Sequence, residues 1–171
     1  DMCGASNSRM AETWTEQRRQ SVAAGLASER PQSEGIVSSS LEFLDAYASE
    51  WTDDYQDACR ATRVRGDQSE TMFDRRMACM SRAATAFDAL TQQLTEADAE
   101  LSDNSISAIS ELPRLELCRD TERLSVIALP ETPEQADAVA EIDARVARAE
   151  GAMLAGDFEP AAEQLMLAVE D

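Results

Sequence analysis

The 171-residue chain contains neither lysine nor histidine, and each absence removes a class of chemistry. Without imidazole there is no Ser-His-Asp or Cys-His catalysis and no His-ligated zinc or haem. Without lysine there is no Schiff base. No C-x-x-C occurs, so neither the usual zinc spacing nor a thioredoxin-like redox pair is present. No apolar run approaches the roughly 18 residues of a membrane span, and the first residues lack the apolar centre of a signal peptide. Carboxylates are the one catalytic resource in quantity, and their spacing does not separate a catalytic pair from a solvated helix face. The expectation is a non-catalytic segment without cofactor, cut from a longer protein.

Acids dominate: 34 acidic residues stand against 15 arginines, a net charge of −19. Such a surface repels phosphate, which argues against nucleic acid as a partner. The charge is uneven. Residues 60–82 hold six arginines against three acids, whereas both flanks are net acidic.

Helical periodicity runs through the chain, and no stretch alternates with a period of two. Met10, Trp14, Val22 and Leu26 mark a first amphipathic helix over 8–26, and "SERPQSEG" breaks it. A long helix over 36–62 follows, with Val37, Leu41, Leu44, Ala48, Trp51, Tyr55 and Ala58 advancing by threes and fours. Asp67 and Glu70 have capping-box spacing, which predicts a helix start near Gln68. Phe73, Met77, Met80, Ala84, Phe87, Leu90 and Leu94 form its stripe. A helix over 96–112, a short one over 121–128, and a final pair over 133–155 and 158–170 complete the reading. The fold class is all-α: an antiparallel helical bundle or repeat-like array, with a first domain over 1–130 and a helical pair over 131–171.

Four cysteines, Cys3, Cys59, Cys79 and Cys118, fit two structural disulfides better than four free thiols. Cys59 and Cys79 fall on consecutive helices that a short connection makes antiparallel. The register that sets Cys59 opposite Cys79 also sets Trp51 opposite Phe87 and Leu44 opposite Leu94. A slip of one heptad also matches apolar to apolar, and three connectivities exist for four cysteines. The expectation is Cys59–Cys79, with Cys3–Cys118 following from it. Two such bonds imply an oxidising compartment outside the cytoplasm.

The blocks "LDAYASEW", "ACRATRVRGDQSE" and "DRRMACM" resemble the region that follows the transmembrane helix in certain bacterial serine/threonine protein kinases. Those proteins carry an N-terminal kinase domain, one membrane span and a helical, tetratricopeptide-rich C-terminal part. The resemblance extends from about Cys3 through "ELPRLELCRD" to the end of the chain. Separately, "GDFEPAAEQLMLAVED" is similar to the second half of a tetratricopeptide repeat, with Gly156, Phe158, Ala161, Leu165 and Ala168 at its turn, small and large positions. Ala149 fits the small position of the preceding helix, while Arg148 stands where a large apolar residue is usual. No Gly-rich phosphate loop, H-R-D or D-F-G is present. The resemblance implies the extracytoplasmic, periplasmic input end of a membrane-anchored kinase: a sensor or protein-interaction segment. The competing reading is a helical spacer that positions further repeats.

Within the basic zone, Arg63, Arg65 and Arg76 are the candidate contacts for an acidic protein or peptide partner, through bidentate guanidinium bonds. Against this stands internal pairing with Asp53, Asp54 or Asp57. "RGD" at 65–67 reads as a turn, with Gly66 closing one helix and Asp67 capping the next. Met72, Met77 and Met80 read as core filling rather than a soft-metal site.

Overall fold

A computed structural model of the chain describes residues 3–4, 9–28, 34–154 and the positions 162, 163 and 166. Among them the regular structure is helical throughout, in an all-α array: α1 (Arg9–Thr13), α2 (Glu16–Ser28), α3 (Glu34–Arg60), α4 (Glu70–Leu94), α5 (Ala99–Ser110), α6 (Glu116–Arg119), α7 (Thr121–Ser125) and α8 (Pro133–Leu154). The first expected helix is divided in two. Thr15 accepts the Arg18 N–H at 3.1 Å, so the chain restarts as α2 with a side-chain cap.

The α3–α4 hairpin supplies the centre of the core. Leu44, Ala48, Trp51 and Ala58 are buried on α3, facing Met80, Ala84, Phe87, Leu90 and Leu94 on α4. Phe87 is the hub: the Tyr47 ring stacks on it at 5.5 Å, and the Trp14 indole meets it edge-on at 5.4 Å. α3 does not stop at Arg60 but widens into a π-helical turn, Ala61–Arg65, closed by Gly66 at φ 69°. That left-handed backbone is where glycine is favoured. The cap of α4 is Ser69, whose hydroxyl accepts the Met72 N–H at 3.1 Å. Asp67, expected as the cap, instead accepts from Arg65 Nε.

The hairpin register is the heptad-shifted one. The Trp51 Nε1–H donates to the Met80 carbonyl at 2.8 Å, and Asp57 reaches Arg76. Met72 then lies opposite Cys59, and Cys79 is two turns, roughly 10 Å, further along α4. A disulfide needs Cα atoms within roughly 7 Å, so the expected Cys59–Cys79 and Cys3–Cys118 bonds do not form. The four cysteines are all oxidised in the other arrangement: Cys3–Cys59, with Cα atoms 5.6 Å apart, and Cys79–Cys118, at 5.5 Å. The first pins the N-terminus to the end of α3, and the second pins α6 to the middle of α4. In the chain-entropy model, closing loops of 56 and 39 residues contributes about 4 kcal/mol each. Two such bonds point to an oxidising, extracytoplasmic environment.

The remaining helices wrap the hairpin. α2 crosses the end of α4 at Gly25, where a Cβ would stand 2.3 Å from the Leu94 carbonyl oxygen. α5 runs parallel to α3, joined by the buried Ser40–Ser105 hydroxyl pair at 2.9 Å and by Tyr47 Oη donating to the Pro113 carbonyl at 2.8 Å. α8 runs alongside α4 in the same direction, fixed by Arg82 to Asp143 at 2.9 Å. Its second half buries Ala147 and Ala149, and Arg148 between them is exposed. Residues 133–141 of α8 are solvent-exposed. The tetratricopeptide positions Gly156, Phe158, Ala161, Leu165 and Ala168 lie outside the described residues.

Candidate functional site

Among the described residues, the arginine-rich hairpin tip and a groove at the opposite end of α4 gather features that recognition requires. At the tip the guanidinium groups are drawn inward. Arg63 Nη1 lies 3.0 Å from Glu70, and its guanidinium sits over the Phe73 ring at 5.5 Å. Arg65 bridges Asp57 at 3.0 Å and Asp67 at 3.1 Å. Arg76 is buried, 5 % exposed, and donates to Asp57 at 3.3 Å and to Gln68 Oε1 at 3.0 Å. Arg75 Nε donates to the Ile127 carbonyl at 3.0 Å, tying the segment after α7 to α4.

Asp57 is the organiser of this tip. Burial works against its charge, but the hydrogen bonds and charges of Arg65 and Arg76 prevail and hold its carboxyl below the ordinary carboxylate value. It lies just outside the 60–82 window, which is why the net positive charge of that window does not survive folding as a free basic surface. Asp54 pairs elsewhere: its carboxylate, 6 % exposed, accepts from Arg119 Nε at 2.6 Å, one residue from the Cys79–Cys118 bond. Met80, of the three methionines, is fully in the core, and Met77 packs against it.

The groove was not visible in the sequence. It lies between α4, α5 and α8 with a volume of 610 Å³, within the range of about 300 to 1,000 Å³ typical of binding clefts. Its floor is made of small residues, Ala86, Ala108 and Ala147, one from each helix. Leu90 and Leu112, both buried, and Met153, 49 % exposed, supply its apolar lining. The polar lining is Ser107, Glu111 and Glu150. Three alanines on three helices converge only because α5 and α8 both run alongside the hairpin. No periodicity within one helix announces that.

Tyr47 is tied to the groove through Pro113, a lining residue whose carbonyl accepts its hydroxyl hydrogen. Burial first, then the charges of Glu50 and Glu116, push its phenol well above the ordinary tyrosine value. It therefore stays protonated and keeps its hydrogen bond to Pro113, a residue of the groove wall. Among the described residues no group of three or more His, Cys, Asp or Glu is placed to hold a metal ion, and no helix is long and apolar enough to cross a membrane. No family model, curated protein or solved structure matches the chain.

Proposed function

We propose that this chain is a non-catalytic, periplasmic sensor or protein-interaction segment of a bacterial transmembrane serine/threonine kinase. The observation that carries the reading is the pair of disulfides, which suits an extracytoplasmic input module. The absence of histidine, lysine and kinase signatures, and the resemblance carried by "ACRATRVRGDQSE" and "DRRMACM", support it further. A partner approaching the hairpin tip has to compete with Glu70 for Arg63, and with Asp57 and Asp67 for Arg65. Among the described residues, the groove between α4, α5 and α8 has no such internal competitor for its apolar lining. The second reading, a spacer for further repeats, draws on the exposed first half of α8, where Val139 is 36 % exposed.

The test is affinity capture from periplasmic extract with the oxidised chain as bait. A partner displaced by excess untagged chain is the expected result. Capture of nothing, together with lengthening of the parent protein as the sole effect of the segment, supports the spacer instead.

A further inference from the structure

We propose that the groove between α4, α5 and α8 binds a cationic amphipathic helical segment of a protein partner. The apolar stripe of that segment rests on Leu90, Leu112 and Met153, and its Lys or Arg side chains meet Glu111 and Glu150. This rests on the interaction-module reading above and names the partner's chemistry.

Shape comes first. On α8 the lining runs from Ala147 through Glu150 to Met153, about 9 Å or nearly two turns. That length matches a helical ligand anchored by residues at i, i+3 or i+4, and i+7. The alanine floor lets a partner's side chains descend between the helices, and the half-exposed Met153 offers an adaptable wall.

Charge decides the sign of the partner. The described lining contains two carboxylates and no cation. Arg114, beside Pro113, is turned toward Glu116 at 3.9 Å. The whole chain carries −19, so a basic segment is also steered toward it over distance. The chain's own residues 155–171 contain five acids and no base, which makes them a poor electrostatic match for the same groove.

The probe is a fluorescently labelled, amidated helical peptide of leucine and lysine, with leucines at i, i+3, i+4 and i+7, titrated against the full oxidised chain by anisotropy. Two control peptides replace its lysines by glutamates or scramble its leucine spacing. Expected is saturable binding of the patterned lysine peptide, no binding of the glutamate version, and at least tenfold weaker binding of the scrambled one. Ser107→Trp fills the groove from an exposed position and should weaken binding at least tenfold, with an unchanged helical circular-dichroism spectrum. The double variant Glu111→Gln/Glu150→Gln should weaken it severalfold and flatten its salt dependence. Equal binding of patterned and scrambled peptides, equal binding by Ser107→Trp, or no binding at all overturns the proposal. If Ser107→Trp still captures a specific periplasmic partner as well as the parent chain does, the groove is wrong and the interaction module stands. If neither captures one, the module reading falls on its own.

Discussion

The Trp51 indole donates its Nε1–H to the backbone carbonyl of Met80 at 2.8 Å inside the core. This bond sets the stagger of α3 against α4, because a buried indole N–H has to find a partner. An exposed carbonyl would serve as well energetically, but burial of Trp51 to 3 % leaves only the facing helix. The stagger rules out Cys59–Cys79, and of the two connectivities left the chain adopts Cys3–Cys59 with Cys79–Cys118.

Peptide mapping without reduction should therefore recover Cys3 linked to Cys59 and Cys79 linked to Cys118. A linked peptide joining Cys59 to Cys79 would place Trp51 opposite Phe87 instead, and would contradict the register. Replacing Cys79 and Cys118 together by alanine should lower unfolding free energy by about 2 to 4 kcal/mol in urea titration.

The three arginines at the tip should respond unequally. Arg76→Ala removes a buried cation from between Asp57 and Gln68 and should cost about 2 to 4 kcal/mol. Arg63→Ala and Arg65→Ala, both half-exposed, should each leave the unfolding midpoint close to that of the parent chain. Similar losses at all three positions would show that Arg76 is not the structural member of the group.

Gly25→Ala tests how closely α2 approaches α4. In a solvent-exposed helix this change stabilises by roughly 0.5 to 1 kcal/mol. Here the new methyl meets the Leu94 and Thr95 backbone, at 2.3 and 2.6 Å from their carbonyl oxygens. Backbone cannot yield as a side chain does, so α2 must shift and stability should fall by about 1 to 3 kcal/mol. A rise in melting temperature would mean that the two helices stand further apart.

Asp57 predicts the acid limb of the stability curve. Its folded carboxyl titrates below the ordinary value near 3.8 because Arg65 and Arg76 favour the charged form. Its contribution is thus complete above pH 4 and is lost as pH falls through the lower folded value. Asp57→Asn should lower stability at neutral pH and flatten the decline below pH 4. An unchanged acid limb in the variant would assign that decline to other carboxylates.

The helical class, most of the stripes that became the core, and the oxidation of all four cysteines were legible in the residues alone. Those follow from local quantities: spacing by threes and fours, turn residues such as Gly66, and an even cysteine count in a chain without metal-ligand spacing. Which cysteine meets which was settled by how the helices pack, because a heptad slip also matches apolar to apolar along most of α3 and α4 and the stripe alone does not distinguish the two. The choice came from one polar group, the Trp51 N–H, and from Asp57 finding Arg76 in the same register. The tip and the groove obeyed the same division. Counting charges over 60–82 gave an arginine zone, but folding brought in Asp57 from outside that window and Ile127 from far along the chain to occupy it. Ala86, Ala108 and Ala147 became one floor only when three helices were laid side by side, since a groove is a property of the space between elements rather than of any one of them.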